Sequence, residues 1–435
     1  MARLEDMVEA RLSVLRGVQS RTNQTFTIFR VPAFLRESSR TSYEPRLVSI
    51  GPYYHGAAAL RAMEDHKWRY LHDLLSPQGP PEPNHRVPLP PLVSGLSASA
   101  LVEKMRSLEA EARACYSEQP VDLSSDDFVQ MLLLDGCFIL EFFRKWRRNQ
   151  PDVLCDVGWG LTFVISDLLL MENQLPFFVL KKLYVTAFGE QDGQAGNNLL
   201  QLLLQYIAGR QVPIRWPNGQ VNHILHLYYE SFVPQSQRTP QQEQSTTAPR
   251  VLPCAVEMSE AGVTFAVRRN SDNGYDVVFD SLRGVMEIPT ILIDDAKTPL
   301  LANLIAFEQS LGNDEAILLS SYVALMGQLI VTARDVALLR RRGVLENMLA
   351  NDDDAARFFN HLGDCGAVNH DSHAFVGLYK DVDRYCGTWW RRKTAALRRD
   401  YFASPWSAIS FVAAAVAVVL AVMQTYFTMF PLKKG

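Results

Sequence analysis

The chain of 435 residues is 48% hydrophobic, enough to bury a large core and to exclude a disordered polymer. Its 43 basic and 47 acidic side chains leave a formal net charge of −4, with no long basic run outside the C-terminal region, so nucleic acid is not an expected partner. Six cysteines (Cys115, Cys137, Cys155, Cys254, Cys365 and Cys386) lie far apart without a C-x-x-C pair, which suits a reduced compartment better than a disulfide framework.

Residues 1–24 mix acidic and basic groups every few positions and lack the apolar stretch of a secretory signal. A globular domain is expected over 25–404. It begins with an extended entry at 25–31, followed by YEPRLVSIGPYYHG (43–56), whose prolines, glycines and aromatics describe a structured loop. An amphipathic helix is predicted over 57–75, with Leu60, Met63, Trp68, Leu71 and Leu74 inward and Glu64, Lys67 and Arg69 outward. Proline fills seven of the fifteen positions from Pro77 to Pro91, so 77–93 reads as an exposed insertion.

Helices are predicted at 96–117 and 127–147, the second introduced by Ser124, Ser125, Asp126 and Asp127 and apolar on nearly every face. Further helical segments are expected at 161–174, 176–188, 198–208 and 222–232. The polar stretch 233–250 reads as a second exposed insertion. A small β element is expected over 263–294. Its strands 263–268 and 275–279 would be joined through a hairpin turn at Asp272, Asn273 and Gly274, and one or two strands would follow over 285–294. Thr298 and Pro299 then start a helix to about 311. Others follow at 314–330, 332–342 and 353–362, with a long one from about 372 into the apolar C-terminal segment.

Residues 401–432 carry no charge, and 408–423 are almost continuously apolar, so a transmembrane helix is expected over 405–430 with Trp406 and Tyr426 at its two interfaces. Residues 431–435 would form a short tail. Arg391, Arg392, Lys393, Arg398 and Arg399 precede the span and only Lys433 and Lys434 follow, which predicts a tail-anchored chain with its bulk in the cytosol. The expected fold class is mainly α: a large multi-helix domain with a small β-hairpin or meander element and one C-terminal transmembrane helix.

Three groups of residues invite chemistry. Asp135, Glu141, Asp167 and Glu172 stand in apolar runs, where they could meet as an acid and base pair or serve as hydrogen-bonded structural carboxylates. Structural use is the more frequent fate of such groups. Within DLLLMENQLPFF (167–178), Pro176 breaks the helix ahead of it and leaves carbonyls without partners. The amides of Asn173 and Gln174 are suited to those carbonyls, and Glu172 to the N–H groups of the next helix or to a basic side chain, so these three form a structural polar cluster at a helix-to-helix corner.

His361, Cys365, His370 and His373 place four possible zinc ligands in the spacing H-x3-C-x4-H-x2-H, which departs from common finger patterns, so no metal or other cofactor is expected. His55 in GPYYHG lacks the surroundings of a phosphate loop, and no G-x-S-x-G occurs.

Five stretches, taken in order, carry a likeness: YEPRLVSIGPYYHG with its downstream KWRYL, DDFVQMLLLDGCFILEFF, DLLLMENQLPFFVL, MEIPTILIDDAKTPLLANLIAFEQ and YFASPWSAIS. Together they closely resemble the plant domain-of-unknown-function 247 family, from about residue 25 to residue 430. The resemblance implies a plant protein with a C-terminal membrane helix and no default enzymatic activity, in a family some of whose members are implicated in self-incompatibility and sex determination. The expected function is therefore non-enzymatic recognition, signalling or scaffolding at a membrane, through a protein partner. The alternative is an enzyme using the buried carboxylates of the helical core.

Overall fold

The computed structural model describes residues 4–19, 26–76, 92–93, 95–118, 123–148, 150–189, 192–207, 220–233, 249–269, 274–312, 317–364, 373–387, 416–421 and 423–424. In chain order the helices of the first half are α1 (Leu4–Gln19), α2 (Ala33–Ser38), α3 (Arg40–Tyr43), α4 (Arg61–Leu75), α5 (Ala98–Ala114), α6 (Ser125–Arg148), α7 (Gly160–Leu168), α8 (Phe177–Phe188), α9 (Asp192–Ile207) and α10 (Ile224–Phe232). There follow α11 (Ala255–Glu260), β1 (Thr264–Val267), β2 (Val278–Asp280), β3 (Val285–Ile288), β4 (Ile291–Ile293), α12 (Lys297–Ser310), α13 (Leu318–Leu329), α14 (Ala333–Arg341), β5 (Leu345–Asn347), α15 (Asp352–Asp364) and α16 (Val376–Gly387).

The chain divides into two compact units, one of residues 1–240, 294–320 and 364–367 and the other of 241–293, 321–363 and 368–435. In the first, α6 is the central element. Its side chains from Phe128 to Lys145 are buried with few exceptions, as a helix apolar on all faces requires, and α4, α5, α8 and α9 pack around it. Gly136 permits the approach of α8, because a side chain there would collide with Leu183. Ser124 caps α6 by accepting the Asp127 N–H at 3.1 Å.

The face that α4 turns to α6 differs from the predicted one. Lys67 is completely buried, whereas Trp68 is 48% exposed. The inward row is Leu60, Met63, Lys67, Tyr70, Leu71 and Leu74, a regular helical stripe in which a lysine occupies a position the sequence reading assigned to solvent. α7 also ends earlier than predicted, at Leu168, and residues 169–176 form a non-helical corner before α8.

The second unit contains the sheets. β3 lies between β1, its parallel neighbour, and β2, its antiparallel neighbour, while β4 and β5 form a separate parallel pair. The hairpin expected between the first two strands is therefore absent: they flank β3. The turn that does close a hairpin is 281–284, between β2 and β3. Asp280 Oδ1 accepts the N–H groups of Leu282 and Arg283 at 2.9 and 3.0 Å, and Gly284 takes φ +69°. Of the predicted turn, residues 272 and 273 lie outside the described residues, as do most of the insertions expected at 77–93 and 233–250.

The transmembrane helix expected over 405–430 is corrected. Among the described residues no single helix is long and apolar enough to cross a membrane. Within 405–430 the described residues are 416–421 and 423–424, all helical; the rest of that stretch, and the tail 431–435, lie outside the described residues. α13 and α14, apolar enough only when taken together, do not make a straight span either, because they meet at 105°. Of the long helix expected from about 372 into the membrane segment, α16 (Val376–Gly387) is described, and residues 388–415 lie outside the described residues.

Candidate functional site

The loop 44–57 has no sheet or helix to satisfy its backbone, and side chains from three other segments supply the partners. Asp167, at the end of α7, accepts the N–H groups of Arg46, Leu47 and Val48 at 3.0, 2.7 and 2.9 Å. Asn173 continues the row: its Oδ1 accepts the Ile50 N–H at 2.7 Å, and its Nδ2 donates to the carbonyls of Val48 at 3.0 Å and Asp167 at 2.9 Å. Asp135 of α6 accepts the Gly51 N–H at 2.7 Å. The Ser49 carbonyl accepts from Lys67 Nζ at 2.7 Å.

Gln174 closes its own corner. Its Nε2 donates to the carbonyls of Leu168 and Leu170, both at 2.7 Å, while its Oε1 accepts the Leu225 N–H at 3.1 Å. These carbonyls belong to the end of α7 and the corner after it, ahead of Pro176, which stands at the N-cap of α8. The backbone oxygen of Gln174 accepts from the Tyr116 hydroxyl at 3.1 Å. Gly51 passes so close to that oxygen that a side chain would collide with it, and its φ of +77° suits glycine independently.

Glu172 binds away from the helix that follows it. Its Oε1 accepts the Val31 N–H at 2.9 Å and Arg36 Nη1 at 2.8 Å, and its Oε2 accepts the Tyr54 hydroxyl at 2.9 Å. Arg30 adds a longer ion pair at 3.7 Å. Thus Asp135, Asp167 and Glu172 are drawn to one corner by the same loop. Glu141 lies apart on α6 in a buried ion pair with Arg144.

Burial opposes the charges of Asp135, Glu141 and Asp167. It raises Asp167 and Asp135 despite the donors around them, and it raises Glu141 despite Arg144. Burial also works against Lys67, yet Asp135 and Glu64 outweigh it and hold the ammonium above its ordinary value. The two directions compete within the Lys67–Asp135 pair. Geometry favours the charged pair, because Nζ lies 2.6 Å from Asp135 Oδ1 and 2.7 Å from Glu64 Oε1 in addition to its Ser49 contacts.

The pairing of Lys67 with Asp135 was not visible in the sequence, nor were two further buried anchors. Asn303 of α12 accepts the Met171 N–H at 2.7 Å and donates to the carbonyls of Ser42 and Pro299, both at 2.7 Å. Glu308, five residues on along the same helix, accepts the N–H groups of Leu319 and Ser320 at 2.9 and 2.6 Å and the Tyr229 hydroxyl at 2.7 Å. Only their polarity within the apolar run PLLANLIAFE marked them in the sequence.

Of the weighed zinc ligands, His361 and His373 are described, whereas Cys365 and His370 lie outside the described residues. Among the described residues no group of three or more His, Cys, Asp or Glu side chains could hold a metal ion. His55 Nδ1 is buried without a hydrogen-bond partner among the described residues, while its neighbour Tyr54 serves Glu172.

A family model described as a plant protein of unknown function matches residues 28–420. UPF0481 protein At3g47200 of Arabidopsis thaliana is 27% identical over 445 residues, covering 94% of this chain and 87% of the relative. Putative UPF0481 protein At3g02645 of the same plant is 23% identical over 502 residues, covering 93% of this chain and 90% of the relative. No solved structure matches the chain.

Proposed function

The chain belongs to the plant domain-of-unknown-function 247 family, and from that premise we propose that it acts without catalysis, as a recognition or scaffold protein that binds another protein. The observation that carries this reading is the closed geometry of the carboxylate corner. Both oxygens of Asp167 and of Glu172 accept hydrogen bonds from fixed groups of the chain, and Asp135 stands between the Gly51 N–H and Lys67 Nζ. A general base needs an oxygen turned toward a substrate proton, and here those oxygens hold a loop in place. The enzyme alternative would require Asp135, Glu141, Asp167 or Glu172 to exchange such a partner for substrate.

Reproductive recognition is one setting for this activity, suggested by the family resemblance alone. The test has two arms on the full-length chain. Proximity labelling from an N-terminal tag in plant cells is expected to mark a reproducible set of proteins, and incubation of the purified chain with plant metabolite extract is expected to leave every metabolite undepleted by mass spectrometry. Catalytic depletion that disappears in Asp135→Asn or Glu172→Gln at unchanged thermal stability would overturn the reading.

A further inference from the structure

Beside the buried corner, the same elements hold an exposed surface of a different character. Trp159, at the N-cap of α7, is 50% exposed, and its ring lies 5.9 Å from that of Phe163, one turn further on. The Arg46 guanidinium lies over the Phe163 ring, 5.8 Å from its centroid. Val153 is 62% exposed. A side chain at Gly160 would collide with the Leu154 carbonyl, so the loop folds back on itself there, and Val153 and Trp159 flank that contact.

These residues are fixed by the corner. Phe163 precedes Asp167 by one turn of α7, and Asp167 holds the backbone N–H of Arg46 at 3.0 Å. Side chain and backbone of Arg46 therefore have separate duties. Among the described residues the guanidinium forms no ion pair, and Asp167, the acid that feels its charge, is already bound by three backbone N–H groups. An exposed tryptophan on a rigid support beside a phenylalanine and an unpaired arginine has the composition that dominates the energetics of protein interfaces.

The geometry points to Val153, Trp159, Phe163 and Arg46 as a docking ledge for a protein segment that carries an aromatic or branched aliphatic side chain next to a carboxylate. The apolar side chain covers Trp159 and Phe163, and the carboxylate answers the cation that the described residues leave without an ion pair, with the bidentate geometry that arginine offers. Pre-organisation by Asp167 reduces the ordering that binding would otherwise require. The inference rests on the recognition reading and gives it a place and a ligand chemistry.

Its test pans the full-length chain, with Trp159→Ala and Arg46→Glu in parallel, against random linear peptides displayed on phage. Both variants retain the backbone that Asp167 holds, so thermal melting is expected to match the parent chain. The parent should enrich peptides with an apolar side chain close to Asp or Glu. A synthetic peptide of that consensus should lose roughly tenfold or more in affinity for Trp159→Ala, and Arg46→Glu should prefer the same peptide with lysine in place of the acid. Enrichment independent of Trp159, an acid preference that survives Arg46→Glu, or binding of anionic vesicles in place of peptides would each overturn the ledge. Peptides bound elsewhere would leave the recognition reading standing; corner-dependent turnover would remove that reading whatever the peptides do.

Discussion

Asp167 accepts the N–H of Val48 at 2.9 Å across 119 positions of sequence, and the same carboxylate accepts those of Arg46 and Leu47. A single side chain thus does for this loop what a neighbouring strand does in a sheet. Asp167→Asn keeps the shape but offers one acceptor oxygen and turns an NH2 group toward the loop donors. The expected cost is about 3 kcal/mol, read as a lower urea midpoint together with faster amide exchange at residues 46–48. Unchanged exchange there would show that the loop is held by something else.

Asn173 is completely buried and engages Ile50, Val48 and Asp167 at once. Asn173→Leu removes one acceptor and two donors from an enclosed site, where each orphaned group costs about 1–3 kcal/mol. A loss of about 3 kcal/mol or more in urea unfolding is expected. A variant as stable as the parent would mean that water or a backbone shift satisfies those groups equally well.

Much of the helical order was legible because apolar periodicity is local; α5, α8, α10, α12 and α14 fall close to their predicted bounds. The break ahead of Pro176 was legible but not its place, since α7 ends at Leu168, further back than the proline ring reaches. The partners of Asp167, Asn173 and Glu172 were not, since Arg46, Ile50 and Val31 lie more than a hundred residues away and no local rule links them. Lys67 misled in the other direction: a lysine reads as solvent-facing, and only the buried Asp135 of another helix makes its place on the apolar stripe of α4 tenable. In the sheets, the Asn-Gly pair outweighed the Asp280 to Gly284 turn, although an aspartate followed four positions later by glycine was a readable signal.

Lys67 and Asp135 give a second handle on the corner. Lys67→Met leaves the Asp135 carboxylate buried opposite an apolar side chain, and removal of one partner from a buried pair costs roughly 3–5 kcal/mol. Adding Asp135→Asn removes the stranded charge while retaining an oxygen for the Gly51 N–H. The double variant is therefore expected to be more stable than Lys67→Met alone, a sign reversal that a double-mutant cycle in urea detects. Additive losses would show that the two groups do not act as a pair.

Asp335 in the second unit joins two helix starts. It accepts the Val256 N–H of α11 at 2.9 Å, and at α14 it accepts the Thr332 N–H and hydroxyl at 2.9 and 2.8 Å. Burial pushes its carboxyl upward, but the donors from Val256, Thr332 and Cys254 outweigh burial and hold it below the ordinary carboxylate value. A carboxyl whose folded value is depressed binds fewer protons in the folded state, so its stabilisation is fully present above the unfolded value of about 3.9 and is lost as pH falls through the folded value. Asp335→Asn lacks this titration and retains one acceptor. The parent chain should therefore exceed the variant in stability near pH 6, by about 1 kcal/mol as for a helix cap, and the gap should shrink steadily below about pH 4. Denaturant melts across that range provide the check, and a gap independent of pH would show that charge on Asp335 contributes nothing to joining α11 with α14.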